Sequence, residues 1–254
     1  TFAVIALVTW FSGAPLTLAD PPAAALRLYA AGEFVTAADL ADTTATASSR
    51  AFASRALVAA CAAAQSPTAA GALLRRAETS ARQALALDPR SVDARLQLAL
   101  VYGMEGRRVS LARAFTSGYA SRGKRLIDEA LAIAPNNAHA HALLGAWHLE
   151  VVRRGGAAGA FLFGARTSVG VAEFERARTL APSDIFIPLH FAIALLSSDA
   201  AANALRVAPL LTSVLSSPPS DALESLAQHT AERLRAAIGT NPREAQREAR
   251  DSWL

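Results

Sequence analysis

The feature that most restricts the fold is a signal for ending one helix and starting the next, which occurs four times. Each copy is a proline followed two residues later by a capping residue: Pro89 and Ser91, Pro135 and Asn137, Pro182 and Asp184, Pro219 and Asp221. Proline stops a helix, and the polar side chain after it accepts hydrogen bonds from free N–H groups of the next helix. The chain is therefore predicted to contain four helix–turn–helix junctions.

Composition extends this prediction to the whole chain. Alanine accounts for 62 of the 254 residues, whereas only 6% are aromatic. Alanine is the strongest helix former, and the residue types that strands prefer are scarce. An all-α fold is therefore predicted, and β-sandwiches, barrels and Rossmann-type sheets are excluded. The formal net charge of +4 is too small for a nucleic-acid-binding stripe, so no nucleic acid partner is expected.

The helices on either side of these junctions also repeat. The first helices share the patterns Ala94-x3-Leu98-Ala99-x2-Tyr102 and Ala140-x3-Leu144-Gly145-x2-His148, and the second helices share a small residue at Ala77, Gly123 and Gly170. Small residues at positions 99 and 145 of the first helices, and at 123 and 170 of the second, allow two helices to approach closely. The two central copies, 92–135 and 138–182, are the most alike.

This pattern resembles the tetratricopeptide repeat (TPR) family over roughly residues 24–238. The resemblance implies a TPR-like α-solenoid of antiparallel helix pairs, with a concave groove that binds other proteins. The prolines at the ends of the central copies are 46 and 47 residues apart, whereas the TPR period is about 34 residues. HEAT-like repeats have this longer period, but the alanine, proline and cap positions favour TPR.

The additional residues fall between the two helices of each central copy, and the two insertions resemble each other. Both contain an arginine pair, a phenylalanine and a glycine at the same offsets: Arg107, Arg108, Phe115 and Gly118 in one, Arg153, Arg154, Phe161 and Gly164 in the other. Phe163 adds a second aromatic side chain to the later insertion. These arginine and phenylalanine residues are candidate partner-binding residues. One alternative is a lipid headgroup region, with Arg153 and Arg154 at the phosphates. The other is that the insertions pack against neighbouring repeats.

The groove implied by the TPR resemblance is predicted to be apolar. The residues expected to face it are Leu96, Leu100, Ala142, Ala146, Leu189 and Ile193. An apolar groove suits an amphipathic helix, which comes either from a partner or from this chain. Candidate helices within the chain are residues 22–31 and the C-terminal pair. Residues 20–239 are predicted to form the repeat domain, and residues 240–254 a polar capping segment.

Residues 1–19 read as a targeting segment. They are uncharged, run from an apolar stretch into Gly and Pro, and place Thr17 and Ala19 before a cleavage point at Asp20. A cleaved signal peptide predicts export, most simply to a bacterial periplasm. The alternative is an uncleaved anchor that holds the chain near a membrane, although the apolar stretch is short for a span of roughly 20 residues.

Chemistry-bearing motifs are weak. Gly118 to Arg125 approaches a P-loop, but Arg125 stands where Ser or Thr coordinates magnesium and no strand precedes it. The five histidines lack metal-ligand spacing, and the single cysteine, Cys61, lies in an apolar run. No catalytic, cofactor-binding or metal-binding residue is therefore predicted, and no cofactor is expected.

Three functional hypotheses follow. The first is a non-catalytic scaffold in the cell envelope that binds the amphipathic helix or a subunit of a protein complex through the groove and the insertions. The second is an accessory subunit of a membrane complex, anchored by residues 1–19. The third, which the sequence supports least, is an enzyme with a site around the histidines.

Overall fold

The protein is all-α. A computed structural model describes residues 21–64, 66–216 and 218–252, and this part of the chain contains helices and no strand. The helices are α1 (Ala23–Ala30), α2 (Phe34–Asp42), α3 (Ala47–Ala63), α4 (Pro67–Leu87), α5 (Val92–Arg108), α6 (Leu111–Thr116), α7 (Tyr119–Ile133), α8 (Ala138–Phe163), α9 (Thr167–Leu180), α10 (Phe186–Val214), α11 (Ala222–Thr240) and α12 (Pro242–Asp251). The predicted targeting segment, residues 1–19, lies outside the described residues.

The four predicted caps are confirmed, and each accepts a hydrogen bond from the backbone N–H of a residue at the start of the next helix. The bonds run to Ser91 from Ala94 (3.2 Å), to Asn137 from Ala140 (2.9 Å), to Asp184 from Phe186 (2.8 Å) and Ile187 (3.2 Å), and to Asp221 from Glu224 (2.8 Å). A side-chain oxygen thus satisfies an N–H group that has no partner within its own helix.

The predicted close helix crossing is confirmed in the second central copy, between α8 and α9. A Cβ atom placed on Gly145 of α8 would lie 2.7 Å from Cδ2 of Phe174 and 2.8 Å from the carbonyl oxygen of Gly170, both on α9. A Cβ placed on Gly123 of α7 would lie 3.8 Å from the carbonyl oxygen of Ala99 on α5. The α8–α9 crossing therefore requires the hydrogen side chain of Gly145. The 3.8 Å distance at Gly123 is an ordinary van der Waals contact, so the α5–α7 pair has room for a Cβ at that position.

The core is divided along the chain. One cluster of buried side chains joins α8 to α12, a second joins α1 to α5, and a smaller one joins α4, α5, α7 and α8. Each cluster connects helices that are near one another in the sequence. Stacking of these pairs into a TPR-like solenoid stays a prediction.

The C-terminal helices return to earlier parts of the chain. Helix α10 packs against α8, α9, α11 and α12, and α11 also contacts α1. At that last contact, a Cβ on Gly32 (φ 86°) would lie 3.0 Å from Cβ of Ala222. The sequence left open which segment covers the apolar first helices, and in this structure the C-terminal pair packs on α10.

Helix α10 is the one helix of the described chain that is long and apolar enough to cross a membrane. Its backbone breaks from helical geometry at Asp199 (φ −153°, ψ 102°), and 14 of its 29 residues are buried within this chain. Those buried residues include Leu189, Phe191 and Leu211, which belong to the α8–α12 core. In this structure α10 is thus a core helix.

Candidate functional site

The two repeated insertions have different helical structures but end alike. The first is the separate short helix α6, whose N-cap Ser110 accepts a hydrogen bond from the N–H of Arg113 (3.4 Å). The second is the end of α8, set off by a break at Gly156 (φ 57°, ψ −152°). The matching glycines Gly118 (φ 66°) and Gly164 (φ 64°) both adopt the left-handed conformation that favours glycine.

The structure brings the two insertions into contact. The rings of Phe115 and Phe163 meet edge to face, with centroids 6.1 Å apart. Phe163 in turn lies 6.5 Å from the ring of Trp147, measured between centroids. The residue equivalent to Phe115 in the second insertion is Phe161, so this contact joins non-equivalent positions of the two copies.

Beyond this contact lies a group of large apolar side chains that we call the insertion tip. Its members and their exposed fractions are Leu111 (52%), Phe115 (55%), Phe161 (92%) and Leu162 (59%). Helix α6, which carries the first two, has no buried residue. The ring contact between Phe115 and Phe163 connects the two segments that carry these four exposed side chains. Single exposed apolar residues are ordinary, whereas several close together are typical of interaction surfaces.

Sequence reasoning identified only the phenylalanines of this surface. Leu111 and Leu162 were not among the predicted site residues. The signal for Leu111 was its spacing of four residues from Phe115, which places both on one face of a helix. For Leu162 the sequence offered no signal beyond its position between two phenylalanines.

Arg107 points toward the C-terminal helix instead of the solvent. Its guanidinium donates hydrogen bonds to the carbonyl oxygens of Arg250 (2.9 Å) and Ser252 (3.2 Å). These carbonyls lie at the end of α12, where no further helical N–H groups are available to them. Burial lowers the pKa of Arg107, and the carboxylate of Glu150 opposes that shift. Arg107 therefore ties α12 to α5.

Arg153 pairs with a carboxylate on its own helix. It donates to both oxygens of Glu150, at 2.8 Å and 2.7 Å. Burial alone would raise the pKa of Glu150, but the hydrogen bond from Arg153 and the positive charges of Arg153, Arg107 and Arg154 together hold that pKa below its ordinary value. Glu150 therefore stays ionised among three arginines.

The remaining two arginines of the pairs also contact this chain. Arg154 donates to the carbonyl oxygens of Gly106, in the last turn of α5, and, at 2.9 Å, of Val109, the residue that follows the helix. Arg108 lies 3.7 Å from the carboxylate of Glu105. The arginine pairs therefore have structural contacts, whereas their proposed contact with a partner stays a prediction.

Four of the six apolar positions assigned to the groove are buried. Leu96, Ala142, Leu189 and Ile193 are at most 7% exposed, whereas Leu100 and Ala146 are half-buried. Leu189 and Ile193 belong to the cluster that contains residues of α11 and α12, and Leu96 packs with Ala130 and Ala140. Side chains of this chain therefore cover those four positions, and partner binding through the predicted groove stays a prediction.

The histidines on α8 have structural partners. His141 lies 2.5 Å from a carboxylate oxygen of Glu173 and 2.9 Å from the carbonyl oxygen of Pro135. His148 accepts a hydrogen bond from the N–H of Arg166 at 3.2 Å, and burial lowers its pKa. Cys61 is buried, and burial raises the pKa of its thiol to about 11, so the inert role predicted for it fits.

His190 gives the fold a pH dependence. Burial lowers its pKa to about 4; Asp184 opposes this shift, and His139 and Arg107 add to it. His190 is thus neutral in the folded protein, whereas the unfolded chain takes up a proton as the pH falls through about 6.5. The contribution of neutral His190 to the free energy of unfolding is therefore expected in full above about pH 6.5. It is lost as the pH falls from about 6.5 to 4.

Unfolding in urea at pH 7.5 and at pH 5 tests this expectation. The free energy of unfolding is expected to fall by about 2 kcal/mol between the two values. The variant His190→Leu should lose most of that change, whereas His229→Leu, which replaces an exposed histidine on α11, should retain it. Equal pH dependence in His190→Leu and the unsubstituted protein would show that His190 is not the responsible group.

These features define the class: an all-helical repeat-containing protein whose repeated insertions form an exposed apolar surface. Residues 40–239 match the model of the family named Regulator of microtubule dynamics protein 1-3. Because this match spans well over half of the 254 residues, the chain belongs to that family. No curated protein matches the chain. The TPR resemblance is neither confirmed nor contradicted by the match and stays a prediction.

Proposed function

We propose that the protein is a non-catalytic scaffold that binds a partner protein through the insertion tip. The observation that carries this proposal is the exposure of four large apolar side chains in one region, led by Phe161 at 92%. Burying them in an interface would remove apolar surface from water, which favours association by about 25 cal/mol for each Å².

The alternative reading, that the insertions only pack on neighbouring repeats, accounts for other residues. Phe163 is half-buried and contacts Trp147 and Phe115, so its ring already has partners within the chain. Phe161 and Leu162 stay largely exposed beside it. Packing therefore explains the base of the insertions, and partner binding is the role we propose for the tip.

The family supports a regulatory binding role. Its name describes a regulator of microtubule dynamics, which favours a scaffold over an enzyme. Both insertions lie within the matched residues 40–239. The cell-envelope setting is a separate proposal that depends on residues 1–19 alone.

A capture experiment with matched variants tests the proposal. The double variant Phe161→Ser/Leu162→Ser removes the most exposed part of the tip, and the control Leu205→Ser removes an equally exposed leucine (93%) on α10. Substitutions at exposed sites usually change stability by less than about 0.5 kcal/mol, so all the variants should fold.

We expect the protein and Leu205→Ser to retain the same stoichiometric partner from cell extract, identified by mass spectrometry and then confirmed with purified protein. The double variant should retain at least about tenfold less, which corresponds to about 1.4 kcal/mol of binding free energy. Equal recovery of the partner by the double variant would refute the tip as the binding surface.

A further inference from the structure

We infer that the insertion tip binds an acidic amphipathic helix of its partner. This inference rests on the proposed function and adds the chemistry of the occupant. It is carried by the charges that surround the exposed apolar side chains, and not by the apolar surface alone.

Basic residues outnumber acidic ones around the tip, between the flanking residues Glu105 and Asp128 in the first copy and Glu150 and Glu173 in the second. Residues 106–127 contain five arginines and the lysine Lys124 but no Asp or Glu, and residues 151–172 contain three arginines and again no Asp or Glu. The chain as a whole carries 25 basic and 21 acidic residues, so this imbalance belongs to the insertions. A surface of one sign attracts a partner of the opposite sign and raises the rate of encounter.

Some of these positive charges are neutralised within the chain and others are not. Arg107 and Arg153 share Glu150, and Lys124 contacts Asp128 at 2.7 Å. Four arginines have no carboxylate within ion-pair distance among the described residues: Arg113, Arg122, Arg154 and Arg166. Of these four, Arg113 and Arg166 are exposed, whereas Arg122 and Arg154 are half-buried.

Their placement follows the insertion tip. Arg113 is exposed and lies between Leu111 and Phe115 on α6, and Arg166 is exposed two residues after Gly164. Arg113 and Arg166 therefore each lie within a few residues of the exposed apolar side chains of one insertion. On α6, Arg113 is two residues from both Leu111 and Phe115 and therefore lies outside the face that these two share. Carboxylates at the edges of a partner helix, and not within its apolar face, would be the groups that meet these charges.

The other two arginines are held in fixed positions. Arg122 lies over the ring of Tyr102, 4.6 Å from its centroid, and donates to the carbonyl oxygen of Ser117 at 2.5 Å. Arg154 donates to the two carbonyl oxygens at the end of α5. Hydrogen bonds to backbone carbonyl oxygens hold these two guanidinium groups in place. Their positive charges therefore have fixed positions, which suits a protein partner with carboxylates at defined positions better than a fluid lipid surface.

The apolar side chains of the tip also favour a helix as the occupant. Leu111 and Phe115 are four residues apart and form a ridge on α6, and Phe161 and Leu162 project from the end of α8. Helices bind one another by fitting rows of side chains between such ridges. A partner helix with apolar residues at spacings of three and four, flanked by Glu or Asp, fits both the ridges and the charges.

Two synthetic helical peptides of the same length test the inference by fluorescence anisotropy with the full chain. Both carry leucine at spacings of three and four, and they differ only in having Glu or Lys on the flanks. We expect the Glu peptide to bind at least about tenfold more tightly than the Lys peptide. Its affinity should fall between 50 and 300 mM salt, because added salt screens exposed charges.

Charge variants then locate the effect. Arg113→Gln/Arg166→Gln should weaken binding of the Glu peptide about fivefold or more, since it removes the two exposed arginines of these segments that have no ion pair among the described residues. The control Arg27→Gln/Arg90→Gln replaces two exposed arginines outside the insertions and should leave the affinity unchanged. Phe161→Ser/Leu162→Ser should abolish binding of both peptides.

Equal affinities for the two peptides would overturn the charge inference while leaving the proposed function standing, because the capture experiment tests that function separately. The inference is also overturned if the Glu peptide does not bind, or binds equally well to the insertion-tip variants. Vesicles containing phosphatidylserine provide the last comparison: tip-dependent binding to them without binding of the Glu peptide would assign the surface to anionic membranes.

Discussion

The variant Phe174→Ala is expected to lower the free energy of unfolding by about 3–5 kcal/mol, as removal of a fully buried phenylalanine does. Phe174 is 0% exposed and stacks on Phe191, with ring centroids 4.7 Å apart and an angle of 12° between the rings. This contact joins α9 to α10, so its loss leaves a cavity where the second central repeat meets the C-terminal core. Urea unfolding measures the change.

The matched control is Phe161→Ala, which makes the same chemical change at a residue that is 92% exposed. Its free energy of unfolding should stay within about 0.5 kcal/mol of the unsubstituted protein. Similar losses in the two variants would contradict the placement of Phe174 in the core and Phe161 on the surface.

The variant Gly145→Ala is expected to destabilise the protein by about 3 kcal/mol, at the upper end of overpacking costs. The added Cβ would lie 2.7 Å from Cδ2 of Phe174 and 2.8 Å from the carbonyl oxygen of Gly170. The ring of Phe174 is fully buried, and the carbonyl belongs to the backbone of α9. The helix pair must therefore separate.

Gly103→Ala is the control for Gly145→Ala, because a Cβ at Gly103 meets no atom of the described chain within 4 Å. It should stabilise α5 by about 1 kcal/mol, the difference in helix propensity between Gly and Ala. Adding Phe174→Leu to Gly145→Ala should not restore stability, since the contact with the Gly170 carbonyl remains. A neutral Gly145→Ala would disprove the close crossing.

Local features of the fold were predictable because they depend on interactions between residues that are close together in the sequence. The caps Ser91, Asn137, Asp184 and Asp221 act within three residues of their own position. The crossing at Gly145 was predictable too. A glycine inside a helix costs stability, so its presence there indicates a position where another helix comes too close for a side chain.

Long-range packing was not predictable in the same way. Leu189 and Ile193 follow a pattern typical of an exposed groove face, yet they lie in a core that includes α11 and α12. The sequence around Leu189 and Ile193 does not indicate that α11 and α12 pack against this part of α10. Arg107 shows the same limit, since its hydrogen bonds reach residues more than 140 positions away.

The insertion tip was predicted in part. The repeated Arg and Phe offsets identified the segments, but periodicity does not separate an exposed side chain such as Phe161 from a half-buried one such as Phe163. The break at Gly156, where the backbone leaves helical geometry, sets the direction of the α8 end that carries both. The exposure of the tip follows from that backbone geometry.

The most direct test of the central claim is site-specific photo-crosslinking in living cells. A benzophenone amino acid replaces Phe161 in one protein and Leu205, the equally exposed leucine on α10, in another. If a partner protein covers the insertion tip, illumination should give a discrete covalent adduct from position 161 and none from position 205. The absence of an adduct at 161, or the same adduct from both positions, would contradict the claim.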